Sequence, residues 1–144
     1  MSHGSFCWNE LMTHDVEKAK AFYSKSVGWA FDPMPMVEGG GTYWVAKIDD
    51  RRVGGIFPMD GPQFKGVPDQ WVSILAVDNV DARVKKATSA GAKVMKGPFD
   101  IPNVGRVAYV QEPGGAMIGW LTPVDTSSMG ATDEKREPTK AAAR

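Results

Sequence analysis

Glu10 is the residue whose type and surroundings most favour chemistry in this sequence. Because side chains alternate along a strand, a strand here puts Glu10 on the same face as Trp8 and Met12. Desolvation disfavours a charged carboxylate in apolar surroundings, and a perturbed carboxylate in a pocket is typical of a functional site. We therefore expect Glu10 to bind a ligand amine or to act as a base. The alternative is a structural ion pair with Arg106 or Lys47.

Few other side chains are suited to metal or nucleophile chemistry. The 144 residues include two histidines and one cysteine. His3 lies near the N-terminus, and His14 lies at a predicted strand–helix corner, where helix capping is the ordinary explanation. Cys7 has no base nearby in sequence and is typical of a small buried apolar group. The sequence therefore offers no histidine-rich metal site.

The charge balance narrows the classes of partner. Lys and Arg total 17, as do Asp and Glu, so the formal net charge is zero. No basic field exists to attract nucleic acid or an anionic membrane. No apolar stretch approaches the roughly 20 residues of a membrane-spanning helix, and the N-terminus lacks an export pattern. We expect a cytoplasmic protein with no nucleic-acid or membrane partner.

The elements that position Glu10 occur twice along the chain. Apolar periodicity and turn residues predict a strand, a helix, a further strand and a hairpin in each half. In the first half these are 5–13, 16–26, 29–36, 42–48 and 53–59, with Val16, Ala19, Phe22 and Tyr23 on the packed face of the helix. In the second half they are 70–77, 80–90, 93–101 and a hairpin around Glu112-Pro113-Gly114-Gly115. Each half is thus a βαβββ module.

The two halves are related by an internal repeat. The segment 13–19 precedes its counterpart 77–83 by 64 positions. We predict one domain, 1–123, with modules at about 5–60 and 70–123 joined by the linker 60–69. Gly39-Gly40-Gly41 indicates a flexible break, since it lacks the lysine and helix start of a phosphate-binding loop. The polar segment 124–144 is typical of a disordered tail.

With these modules the chain resembles the vicinal oxygen chelate superfamily, which includes glyoxalase I, bleomycin-resistance proteins and extradiol dioxygenases. The resemblance covers about residues 5–123 and rests on the runs at 15–29, 76–82 and 112–120. It implies an α+β fold in which two βαβββ modules curl their sheets into a cup. Fold alone does not imply function, so the site requires its own argument.

The resemblance also allows the metal positions of the superfamily to be checked. Metal-dependent members place one ligand on the first and one on the fourth strand of each module. The matching positions here are Trp8, Val72, Gly55 and Gly119, and none of them offers a ligand. The resemblance therefore implies a branch without the metal ligands and without a cofactor.

The side chains predicted to face the cup are mainly apolar. Those expected to bind a ligand are Trp8, Glu10, Met12, Phe57, Val72, Ile74, Met117 and Leu121. We expect metal-free binding of a small, largely apolar or aromatic molecule, as in drug-sequestering proteins of this fold. The alternative is that Trp8 and the methionines fill the cup as part of the hydrophobic core.

Two further classes of function stay open. One is an enzyme of the superfamily, a lyase, isomerase or dioxygenase, with Glu10 as the catalytic candidate. The other is an interaction module with a filled cup and an exposed apolar patch. Proline-bearing strands at 29–36 and 95–102 blunt the sheet edges only in part, so we expect a homodimer.

Overall fold

A computed structural model describes residues 2–36 and 41–124. The predicted polar tail beyond Val124, and the glycine break except Gly41, lie outside the described residues. The helices are α1 (Val16–Val27) and α2 (Val80–Ser89). The strands are β1 (Ser5–Thr13), β2 (Ala30–Pro35), β3 (Thr42–Ile48), β4 (Arg51–Pro58), β5 (Gln70–Ala76), β6 (Lys93–Ile101), β7 (Gly105–Gln111) and β8 (Met117–Pro123).

This element order confirms the α+β class and the two βαβββ modules. Every predicted strand and helix is present within two residues of its predicted bounds. The turn between β3 and β4 is shorter than predicted, because Asp49 and Asp50 alone adopt positive φ and Arg51 already belongs to β4. The predicted linker contains one turn of 3₁₀ helix at Pro62–Phe64.

The described residues form two compact units. The first unit is Trp8–Ser73, in which the strand order is β2-β3-β4-β1. β1 runs parallel to β4, and the other neighbours are antiparallel. β2, with Pro33 and Pro35, lies at the end of this order, which confirms the edge position expected of a proline-bearing strand.

The second unit combines Met1–Cys7 with Ile74–Arg144, of which 2–7 and 74–124 are described. Its strand order is β5-β8-β7-β6, with β5 parallel to β8. The hairpin of β7 and β8 closes as predicted, and the Gly115 amide donates to the Glu112 carbonyl at 2.9 Å. A core cluster lies between α2 and this sheet and contains Val77, Val80, Val84, Ala108 and Val110.

The strand registers follow the repeat predicted from the sequence. In the first unit Glu10 pairs with Gly55, and in the second Ile74 pairs with Gly119. Glu10 and Ile74 are 64 positions apart, as are Gly55 and Gly119. The two modules therefore present equivalent strand positions to their own sites.

Helix α1 departs from its predicted packing at one residue. Its start is capped as expected, since the Asp15 carboxylate accepts from the Lys18 amide at 3.0 Å. Phe22 was predicted on the packed face, but it is 60% exposed. Successive helical residues are rotated by about 100°, and the inward position belongs to Tyr23, whose ring stacks on Trp29 with centroids 4.9 Å apart.

Among the described residues, none of the helices combines the length and apolarity needed to cross a membrane.

Candidate functional site

The predicted ligand-binding residues fall in both units. The first unit contains Trp8, Glu10, Met12, Phe57 and Val72. The second contains Ile74, Met117 and Leu121.

Glu10 is the charged residue of the first group. It is 5% exposed, and among the described residues it is the one charged side chain that is buried. The parallel pairing of β1 with β4 puts Gly55 beside Glu10 and Phe57 beside Met12. The sequence-based expectation of a carboxylate in largely apolar surroundings thus matches its burial.

Tyr43, a residue that the sequence did not single out, is a hydrogen-bonding partner of this carboxylate. The Tyr43 hydroxyl donates to Glu10 and accepts from the Trp8 indole Nε1 at 2.8 Å. An indole N–H can only donate, and an ionised carboxylate can only accept. The chain Trp8, Tyr43, Glu10, hereafter the Tyr43 relay, therefore has one direction.

Gly55 makes room for this tyrosine. A Cβ built on Gly55 would overlap the Tyr43 hydroxyl and the ring carbon that bears it. The phenol of Tyr43 thus occupies the space beside Gly55. The strand pairing contains a signal for this placement of Tyr43. Val45 lies opposite Gly55, and Tyr43, two residues before Val45 on the same face of the sheet, is the diagonal neighbour of Gly55.

Burial keeps the Tyr43 phenol protonated. Desolvation raises the pKa of Tyr43 well above its ordinary value, and the negative charge of Glu10 raises it further. The hydroxyl is therefore a neutral donor throughout the physiological pH range. It supplies Glu10 with a hydrogen bond without adding charge.

The two cations considered as partners of Glu10 are engaged by aspartates. The Lys47 ammonium lies 2.8 Å from the Asp32 carboxylate. Arg106 pairs with Asp81 at 2.7 Å and with Asp100 at 3.1 Å. Lys47 and Arg106 therefore both have aspartate partners, and the ion pair with Glu10 stays an untested alternative.

The equivalent position in the second unit is filled by hydrocarbon. A Cβ on Gly119 would lie 2.9 Å from the Ile74 side chain and 3.2 Å from the Tyr109 ring. Ile74 and Leu121 are 5% and 9% exposed, and Met117 is half-buried. This half of the predicted site is therefore packed around Gly119 by the Ile74 side chain and the Tyr109 ring.

The donor set at the predicted metal positions does not fit a metal. Within residues 2–36 and 41–124, no three His, Cys, Asp or Glu side chains are close enough to hold an ion. His3 accepts from the Asp78 amide at 3.0 Å, and His14 contacts the Val67 carbonyl at 2.6 Å, as structural residues near helix starts. Burial raises the pKa of the Cys7 thiol, which is consistent with a small apolar group.

A separate open cleft of about 280 Å³ lies at the start of α1. Its lining includes Asp15, Asp60 and Trp44, and none of the predicted ligand-binding residues. The face of the Trp44 ring is covered by the Lys20 ammonium, 3.3 Å from the ring centroid. This cleft is therefore separate from the candidate site around the Tyr43 relay.

Comparisons with known proteins agree with the fold. Two curated relatives are a Mycobacterium bovis protein named "Putative glyoxylase CFP32", 39% identical over 112 residues, and a Streptomyces peucetius protein named "Anthracycline biosynthesis protein DnrV", 29% identical over 128 residues. Each match covers 78% of this chain, and the chain spans 43% and 45% of the two relatives.

Solved structures with low sequence identity share the same architecture. A Bacillus halodurans protein, BH1468, superimposes with a TM-score of 0.65 at 10% identity, covering 88% of this chain and 99% of that one. A methylmalonyl-CoA epimerase from Streptomyces coelicolor gives a TM-score of 0.62 at 16% identity, covering 86% and 100%. At such identities the likeness concerns the fold alone.

The family model assigns the chain directly. The model of the Glyoxalase/Bleomycin resistance protein/Dioxygenase superfamily matches residues 6–119. This range includes nearly all of the first module, the second module as far as Gly119, and every predicted site residue except Leu121. The chain therefore belongs to the Glyoxalase/Bleomycin resistance protein/Dioxygenase superfamily.

Proposed function

We propose that this protein binds a small, largely apolar or aromatic molecule without a metal ion. The observation that carries the proposal is the Tyr43 relay. A tyrosine hydroxyl, held by Trp8 and Glu10, lies over Gly55, where the superfamily resemblance places a metal ligand. A site that accommodates a phenol in this way has the chemistry of an aromatic-binding site.

The side chains near the relay suit such a ligand. Trp8, Met12 and Phe57 are half-buried, so each keeps apolar surface that a ligand can cover. Aromatic rings and a methionine thioether supply stacking and dispersion, while a few polar groups orient the ligand. Glu10 and Trp8 provide an acceptor and a donor for that orientation.

Independence from metal follows from the donor groups. A divalent ion at the predicted positions would lose its hydration without receiving side-chain ligands from an indole, an isopropyl group and two glycines. The strand carbonyls are committed to the ladders. We propose a cytoplasmic protein whose partner is the small molecule, with no resident cofactor.

Elemental analysis tests the metal-independent part of this proposal. Protein purified without an affinity tag is incubated with zinc, nickel, iron or manganese, desalted and measured. We expect far less than one ion per chain, in the wild type and in Glu10→Gln alike. Near-stoichiometric metal that is lost in Glu10→Gln, but kept in the exposed control Glu17→Gln, would contradict it.

A second candidate function is acid–base catalysis by Glu10. Its support is the burial of the Glu10 carboxylate, since a buried carboxylate beside a hydrogen-bond donor is a candidate acid or base. A relative named as a glyoxylase makes a proton-transfer reaction of this superfamily worth testing. Turnover that resists chelation and falls at least 100-fold in Glu10→Gln, the scale of general-base catalysis, would favour the enzyme.

A further inference from the structure

Tyr43 shows which functional group the relay recognises. Its hydroxyl accepts from the Trp8 indole at 2.8 Å and donates to Glu10. A hydroxyl group can do both at once. A carbonyl or an ether oxygen can accept but cannot donate, and an ammonium group can donate but cannot accept.

Charge narrows the ligand class further. A carboxylate or phosphate in the position of the Tyr43 hydroxyl would face the negative charge of Glu10, which already raises the pKa of Tyr43. Burial strengthens that repulsion, since Glu10 is 5% exposed and little water is available to screen it. An anionic ligand is therefore disfavoured.

The shape of the space beside Gly55 favours a ligand whose hydroxyl is attached to an aromatic ring. The Tyr43 ring reaches Gly55 because that residue has no Cβ, and the hydroxyl and two ring carbons would be the nearest atoms to one. A flat ring bearing a hydroxyl at its edge fits this space, whereas a tetrahedral carbon beside the hydroxyl has the bulk that Gly55 avoids.

We propose that the site takes phenolic compounds, and that a ligand phenol displaces the Tyr43 hydroxyl from between Trp8 and Glu10. This inference rests on the proposed function and specifies its ligand class. The Tyr43 hydroxyl then fills this position when no ligand is bound, and it competes with the ligand for Trp8 and Glu10. Gly55 is the residue that admits the ring.

The test compares three probes on the wild-type protein and two variants. The probes are 4-methylphenol, 4-methylanisole and 4-methylbenzoate, titrated calorimetrically. For the wild type we expect 4-methylphenol to bind about tenfold more tightly than 4-methylanisole, since the ether cannot donate to Glu10. The benzoate should bind most weakly because its charge opposes that of Glu10.

The two variants test whether the ligand displaces the Tyr43 hydroxyl or only contacts it. Tyr43→Phe keeps the ring and removes the competing hydroxyl, so 4-methylphenol should bind about tenfold more tightly than to the wild type. Gly55→Ala blocks the place that either hydroxyl must occupy, so binding should fall at least tenfold. Gly114→Ala, where a Cβ meets nothing within 4 Å, is the matched control and should bind as the wild type does.

Three results would overturn the inference. These are equal binding of the phenol and the anisole by the wild type, unchanged or weaker phenol binding by Tyr43→Phe, and unchanged binding by Gly55→Ala. The first comparison needs no variant, so it holds if a variant fails to fold. If all aromatic probes bind the wild type equally, this inference fails while the proposed function stands. If none binds, both fail.

Discussion

Replacing Gly55 by alanine should destabilise the protein by about 2–4 kcal/mol. The new methyl group would overlap the Tyr43 hydroxyl and ring, so the ring must leave its place. Its departure breaks the hydrogen bonds that the Tyr43 hydroxyl makes with Trp8 and Glu10, and each buried hydrogen bond lost in this way costs about 1–3 kcal/mol. Relaxation of the strands offsets part of this sum.

Urea unfolding of matched variants measures this effect. Gly114→Ala is the control, because nothing lies within 4 Å of a Cβ at that position, and its free energy of unfolding should stay within about 0.5 kcal/mol of the wild type.

A double substitution shows whether Tyr43 is the cause. Tyr43→Ala removes the ring that the methyl group would strike, so Gly55→Ala should cost less than about 0.5 kcal/mol in that background. Equal stability of Gly55→Ala and Gly114→Ala would refute the placement of the Tyr43 phenol over Gly55. An additive double variant would refute the contact as the cause.

Three further predictions concern stability, pH and assembly. Glu10→Gln should lower the free energy of unfolding by less than about 2 kcal/mol while weakening ligand binding, and a larger loss in urea unfolding would make Glu10 a structural residue. Hydrogen bonds from Arg83 lower the pKa of Asp78 to about 2, so their stabilisation is present above about pH 4 and is lost as the pH falls towards 2. The melting temperature of Arg83→Gln should accordingly vary less over that interval than that of the wild type, and identical pH profiles would contradict the pair. We also predict a homodimer, because the strand edges at β2 and β6 are only partly blunted by proline; sedimentation as a monomer at high micromolar concentration would contradict it.

The sequence predicted the fold well because local signals agreed with the repeat. Asp15 and Asn79 mark both helix starts, and their side chains cap α1 and α2. The repeat of 64 positions predicted that Gly55 and Gly119 are equivalent, and the registers agree. These features depend on neighbours in the chain or on spacing, both of which are visible in a sequence.

The site was predicted only in part, because its key contact crosses strands diagonally. Glu10 was identified from its alternation with Trp8 and Met12, but Tyr43 reaches it from β3. That reach depends on the register between β3 and β4, which shifts between Ala46 and Lys47. A one-residue change in register reverses the faces of a strand, so the sequence alone did not identify Tyr43 as a partner of Glu10.

Calorimetric titration of 4-methylphenol into protein dialysed against a chelator tests the central claim most directly. We predict binding of one molecule per chain, with a negative heat-capacity change from burial of apolar surface. The affinity should be unchanged when zinc, nickel, iron or manganese is restored. Binding that appears only after a metal ion is added would contradict metal-independent recognition by Trp8, Tyr43 and Glu10.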